Sequence, residues 1–309
     1  MIKFERKKIN NKPYYYLTDQ VKIGKKTKKI QVFVGKKIPN DTGAYFTSLQ
    51  QKELDETKAV LKKSEISTKY LKNYSILKIE SGRINWKYYK AQITQAAYSR
   101  LLRNFAIQFI FESNAIEGSR LDKSEVEAIV KKKYRKKRLP QEEVTEVENS
   151  IKCFDYINSE DFILNHKSII KLHTMLIENL NIPTGFKTSK IVVNNKNTAD
   201  PKKVRKELTN LISWYKNEKK KLHPFERAVI FHNRFERIHP FTDGNGRVGR
   251  LILNWMLLHD GYGYVLIKDK NKTAYKNALD KGDTISYRNI LLFCAREYDD
   301  TINEFVISN

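Results

Sequence analysis

The sequence predicts a mainly α-helical fold with a small antiparallel β-meander at its N-terminus. From residue 41 onward, apolar residues recur in stretch after stretch at helical spacing, as in Phe225, Ala228, Val229, His232, Phe235 and Ile238. That spacing marks a helix with one buried face. Before residue 40 the pattern is that of strands: Ile30, Val32 and Val34 alternate with Gln31 and Phe33, and short polar turns interrupt the runs. The chain has 309 residues, of which 40% are hydrophobic and 11% aromatic. This is enough apolar material for a packed core.

In chain order, residues 1–40 form the β-rich module. Ile2 to Ile9 meets the turn Asn10-Asn11, Tyr14 to Leu17 and Val21 to Ile23 follow, and Gly24-Lys25-Lys26 leads into the third strand. One face is expected to carry lysines and the other Tyr and Phe. Such a module suits either recognition of a protein or nucleic acid, or packing on the helical body as an appendage. Residues 41–84 read as a helical connector. A helix over 41–63 is capped by Asp41 or Thr42, and breaks are expected at 63–73 and at Ser81-Gly82.

The main domain is placed at 85–305. A long helix runs from Ile84 to Phe111 and meets Ser113-Asn114-Ala115-Ile116-Glu117-Gly118, where Ser113 can cap a short helix that Gly118 ends. Helices follow over 121–133, 142–157, 165–180, 203–215 and 224–238, with closing helices over 273–279 and 287–305. His173 falls beside an apolar face and reads as a satisfied core histidine. The run 131–138 has seven basic residues of eight, the composition of a solvated face.

Charge and cysteine usage bound the class further. Lys and Arg number 59 against 35 Asp and Glu, a net +24. This charge suits an anionic partner, or simply lysines coating a solvated surface. Cys153 and Cys294 sit in helical apolar patterns and read as buried thiols rather than a disulfide framework. No Cys/His cluster has zinc spacing. There is no apolar run of about 18 residues, so no membrane span is expected. Met1 to Arg6 lacks the apolar core of a signal peptide. The expected location is the cytoplasm.

The most informative stretch is His239-Pro240-Phe241-Thr242-Asp243-Gly244-Asn245-Gly246-Arg247-Val248-Gly249-Arg250. A glycine-rich loop opening onto a helix leaves backbone N–H groups free to face an anion. Arg247 and Arg250, at i and i+3, share one face of that helix and can clamp phosphate oxygens. Asp243 can give Mg²⁺ one carboxylate, and His239 can take a proton near neutral pH. The stretch reads as a polyphosphate cradle with a metal ligand and a base.

These residues match the signature His-x-Phe-x-(Asp/Glu)-Gly-Asn-Gly-Arg-x-x-Arg at all eight specified positions. On that basis the chain resembles the Fic family. The resemblance implies a Fic-type helical bundle and transfer of AMP from ATP to a Ser, Thr or Tyr hydroxyl of a protein. In that reaction His239 would act as base, and Asp243 would hold Mg²⁺ between the α- and β-phosphates. Gly244, Asn245 and Gly246 would bind these phosphates through amides and the Asn side chain. Arg247 would support the β-phosphate and Arg250 the γ-phosphate, with Phe241 anchoring the loop in the core.

Ser113 to Gly118 is similar to the family's inhibitory motif, (Ser/Thr)-x-x-x-Glu-(Gly/Asn), in the upstream position of its second class. This implies a Glu117–Arg250 ion pair that withholds Arg250 from ATP. Residues 185–200 resemble the family's flap, a β-hairpin that docks the target by strand addition. Its candidate docking residues are Lys187, Thr188 and Ile191, with Lys187 where Arg is common. The resemblance also makes Tyr275 a contributor to the adenine pocket and His232 mainly structural.

Three functions follow: an autoinhibited AMP transferase, an enzyme that removes AMP with Glu117 orienting water, and a nucleic-acid-binding regulator acting through the N-terminal module. Self-modification and homodimerisation stay open.

Overall fold

A computed structural model describes residues 2–23, 26–62, 68–134, 139–193, 196–284 and 286–307. Three strands, β1 (Lys3–Ile9), β2 (Lys12–Ile23) and β3 (Lys26–Gly35), pair antiparallel in the order β1-β2-β3, with a bulge at Tyr15/Tyr16. The inner face of this meander buries Leu17, Val21, Ile30 and Val34 against Phe46 and Leu49 of α1 (Gly43–Lys62) and Ile84 and Tyr88 of α2 (Asn73–Gln92). Lys87 of α2 reaches back to Asp19 and Glu53.

The expected division of the sheet into a lysine face and an aromatic face is not what forms. Strand alternation places Tyr14, Tyr16 and Phe33 on the outer face, beside Lys7. The inner face, which packs on two helices, takes mostly aliphatic residues together with Phe4 and Tyr15, so aromatic side chains lie on both faces.

The remaining helices are α3 (Gln95–Glu117), α4 (Lys123–Val130), α5 (Gln141–Ile157), α6 (His166–Leu176), α7 (Val204–Asn217), α8 (Pro224–Ile238), α9 (Asn245–His259), α10 (Lys272–Thr284) and α11 (Arg288–Ile302). Between α6 and α7, β4 (Val192–Val193) and β5 (Lys196–Asn197) form a small hairpin. Residues 194–195, for which a turn is expected, and residues 135–138 of the basic run lie outside the described residues.

The centre is the α8–α9 pair. Ala228, Val229, Phe231 and Phe235 from α8, with Ile252, Leu253 and Met256 from α9, have no accessible surface. Helices α7, α10 and α11 pack on α8, while α3, α5 and α6 pack on α9. A pair enclosed in this way can position its connecting loop rigidly. Glu226, wholly buried in α8, accepts the backbone N–H groups of Lys69, Tyr70 and Leu71, which fastens the approach to α2 onto the centre.

Two expected boundaries move. Ser81-Gly82 is not a break, since α2 runs through it and past residue 85. Gly82 is needed there because a Cβ would lie 2.7 Å from the ring of Tyr298. The break falls instead at Ile93-Thr94, where the Thr94 hydroxyl accepts the N–H of Ala97 and starts α3. Ser113 is therefore no cap. It lies in the last turns of the long helix α3, which Gly118 closes. Among the described residues, no helix is long and apolar enough to cross a membrane.

Candidate active site

Helix α8 ends at His239, which adopts a left-handed backbone (φ 50°, ψ 64°) while its N–H still bonds to the carbonyl of Phe235. This reverses the chain and turns the half-buried imidazole toward a cavity of about 340 Å³. Phe241 then drops into the core with no accessible surface, and its ring stacks on His173 at a centroid distance of 3.8 Å. Truncating such a buried ring costs about 3–5 kcal/mol. His173 Nε2 is 3.1 Å from the carbonyl oxygen of Asp243, so this core histidine also supports the loop.

Gly244 has φ 77°, a conformation glycine adopts without strain. Its carbonyl begins the hydrogen-bond ladder of α9. The Asn245 side chain does not face the cavity as expected. Oδ1 accepts the N–H of Phe241 and Nδ2 donates to the same residue's carbonyl, both at 2.9 Å. Asn245 therefore clamps the loop, and its backbone amide is the part left for an anion. At Gly246 a Cβ would lie 2.2 Å from Glu117 Oε1 and 2.9 Å from Arg250 Nη1, so glycine keeps the floor of the cradle open.

The two arginines of the loop are buried and held by carboxylates. Arg250 donates through Nη2 to Glu117 Oε1 at 2.7 Å and to the Ser113 carbonyl at 2.9 Å, and through Nε to Ser113 Oγ at 3.0 Å. Burial alone would raise the Glu117 pKa. The guanidinium of Arg250 outweighs it, and the carboxyl sits below its ordinary range. Glu117 keeps 36% of its side-chain surface accessible and itself lines the cavity. Arg247 donates to Glu146 of α5 at 2.6 Å and lies 3.7 Å from Asp243. The Asp243 side chain is 60% exposed, and its Oδ1 accepts the N–H of Gly244. One exposed carboxylate beside an anion cradle suits Mg²⁺, which usually takes one or two protein carboxylates and fills its other positions with water and phosphate. Among the described residues no group of three or more acidic, His or Cys side chains converges, at Asp243 or elsewhere.

The flap residues separate. Thr188 is exposed and Ile191 half-buried, its carbonyl accepting the N–H and hydroxyl of Thr198. Lys187 does not face outward toward a target. It is 3% exposed, and its Nζ donates to the Ile238 carbonyl and the Thr198 hydroxyl, while its backbone N–H donates to the Pro240 carbonyl. It thus grips the chain on both sides of His239. Burial lowers the Lys187 pKa to about 8. The His239 pKa is lowered by burial and then by the charge of Lys187, against weaker opposition from a hydrogen bond with the Glu236 backbone and from the charges of Glu117 and Asp243. The imidazole is therefore neutral at and above its ordinary pKa, the form that accepts a proton.

Tyr275, from α10, lines the cavity, and its hydroxyl lies 2.5 Å from Nε2 of His232. Lys276, Leu279 and Asp280 line the same wall, and Glu236 and Arg237 line the α8 side. Sequence reasoning passed over these residues. The spacing 275, 276, 279, 280 is one helical face and would have disclosed them once Tyr275 was placed. Glu146 carried no local signal. Both cysteines are buried free thiols, and burial pushes Cys153 up to about 12.

Residues 163–257 match the model of the Fic/DOC family. Over 219 residues the chain is 28% identical to protein adenylyltransferase Fic of Nematostella vectensis, covering 68% of this chain and 51% of that protein. Over 218 residues it is 23% identical to protein adenylyltransferase fic-1 of Caenorhabditis elegans, covering 68% and 43%. The chain spans about half the length of the curated relatives it matches. A Fic domain containing signaling protein from Bacteroides thetaiotaomicron superposes with a TM-score of 0.68 at 21% identity, over 74% of this chain and 95% of that one. Fic-1 of C. elegans superposes with a TM-score of 0.67 at 20% identity, over 86% and 83%. These two structures share the fold. The matched region holds α8, the loop and α9 as far as residue 257, around which the cavity is built, and is similar to the Fic/DOC family domain.

Proposed function

We propose that the chain is a protein adenylyltransferase whose resting state is held by Glu117. The observation that carries this reading is the convergence of His239, the α9 N-terminus and the Glu117–Arg250 pair on one cavity. The relatives named protein adenylyltransferase support it.

A hydroxyl of the target protein attacks the α-phosphorus of ATP. A new O–P bond forms, the bond to pyrophosphate breaks, and His239 takes the hydroxyl proton. The amides at the start of α9 and the guanidiniums of Arg247 and Arg250 stabilise the charge on the phosphates. Asp243 would hold Mg²⁺, which supplies further charge neutralisation when bound. In the resting state Arg250 is already engaged, and the Glu117 carboxylate projects negative charge where phosphate must sit. Exposed Thr188 and half-buried Ile191 leave the flap available for a target segment. The target is a protein bearing Ser, Thr or Tyr, and self-modification is part of the reading.

The test is labelled ATP with the wild type, Glu117→Gly and Glu117→Gly/His239→Ala. Little label, strong label and none are expected in that order, and equal label in all three contradicts the reading. A second reading rests on Glu117 lining the cavity itself: the carboxylate orients water to remove AMP from a modified protein. Under that reading Glu117→Gly abolishes removal.

A further inference from the structure

The N-terminal sheet shows a surface that the transferase reading does not use. Tyr14, Tyr16 and Phe33 lie together on its outer face, with Phe33 ring centroids 6.0 Å from Tyr14 and 5.4 Å from Tyr16. Phe33 is 55% exposed. Lys7 lies over the Tyr16 ring, its Nζ 4.5 Å from the centroid. Strand alternation adds exposed Lys3, Lys12, Lys22 and Lys29 to the same face, and its one carboxylate, Glu5, is paired with Lys29. Residues 1–40 hold twelve Lys and Arg against two acidic residues, a net +10 out of the chain's +24. The lysine excess is therefore concentrated on this small module.

We propose that this outer face binds single-stranded nucleic acid. Exposed rings on a sheet offer stacking surfaces to unpaired bases, and the surrounding ammonium groups track the phosphate backbone. A duplex hides the faces of its bases and would use only the lysines. An acidic protein surface would likewise gain little from three clustered rings. A second copy of this chain would bring like charge against like. The proposal does not depend on the transferase reading, since the sheet packs on α1 and α2 and the rings point away from them.

The test is fluorescence anisotropy of the full chain with fluorescein-labelled oligo(U) and oligo(dT) of twelve nucleotides, at 50 and 200 mM salt. Binding of either probe is expected, with affinity falling at the higher salt. Phe33→Ala should weaken binding about 5- to 150-fold, the loss of one base stack. Lys3→Gln/Lys12→Gln/Lys22→Gln should flatten the salt dependence while leaving the Phe33 effect in place. Because these side chains are exposed, the thermal midpoint should not move. If it does for Phe33→Ala, Phe33→Leu, which keeps apolar bulk but removes the ring, decides the matter. The proposal is overturned by any of four results: no single-strand binding at 50 mM salt, equal affinity without the Phe33 ring, displacement by polyglutamate at equal charge, or capture of the chain by phosphatidylserine vesicles in place of the oligonucleotides.

Discussion

Arg247 donates to Glu146 at 2.6 Å across 101 residues of chain, so both arginines of the 239–250 loop are anchored to other helices by carboxylates. Arg247 is only 4% exposed, whereas Glu146 keeps 22% of its side-chain surface. Removing the carboxylate leaves a nearly buried guanidinium with only the longer, 3.7 Å contact to the exposed Asp243. Glu146→Ala should therefore cost about 1–3 kcal/mol of stability, measured by urea unfolding. It should also reduce labelling in the Glu117→Gly background, because Arg247 loses its fixed position. Unchanged labelling there would mean that Glu146 serves stability alone.

Ser113 accepts twice from Arg250, through its hydroxyl and its carbonyl. Ser113→Ala removes only the first of these bonds and leaves the Glu117 pair intact. Basal labelling should rise above that of the wild type yet stay well below that of Glu117→Gly. Time courses with labelled ATP at equal protein concentration give the comparison.

Lys187 should set the acid limb of the rate of the proposed reaction. In the proposed reaction the proton acceptor is neutral His239, whose pKa is already lowered by burial and by the Lys187 charge. In Lys187→Met that charge is gone, so the His239 pKa rises and the acid limb of the pH–rate profile moves to higher pH. Burial still acts, so the limb does not pass far beyond the ordinary histidine value of about 6.5. Lys187→Arg keeps the charge and the donors to Ile238 and Thr198, and should restore the limb. The profiles are to be taken in the Glu117→Gly background. If Lys187→Met lowers the rate without moving the limb, Lys187 holds the loop but does not tune the base.

Gly246→Ala separates release of the inhibitory contact from activation. Its Cβ would push on both Glu117 Oε1 and Arg250 Nη1. The contact would loosen, but the same methyl would stand in the cradle where phosphate must approach the amides. Labelling should not rise above the low wild-type level in Gly246→Ala and should fall sharply in Glu117→Gly/Gly246→Ala relative to Glu117→Gly. Strong labelling of the single variant would place the phosphates elsewhere.

What could be read from the chain alone was what short spans encode. Helix α8 runs from Pro224 to Ile238 as the sequence predicts, because the helical period and an N-terminal proline act locally. The three strands were legible because alternation and the Asn10-Asn11 turn are local as well. The loop from His239 to Arg250 carried its chemistry in twelve consecutive residues, and the upstream motif pointed to the Glu117–Arg250 pair that the fold contains.

Tertiary structure decided everything that depends on which surfaces meet. The Ser81-Gly82 pair reads as a break, yet it continues a helix because Tyr298 needs the space. Asn245 was expected to reach a phosphate but is taken up by Phe241. Lys187, charged and in a flap, reads as a docking residue, but packing turns it inward onto Ile238. Glu146 and Arg247 have no periodic relation in sequence. The faces of the N-terminal sheet followed from which side packs on α1 and α2. A residue's own neighbours govern backbone conformation and helical phase, whereas burial and pairing depend on elements tens to more than a hundred positions away. At those separations a single sequence carries no spacing to read.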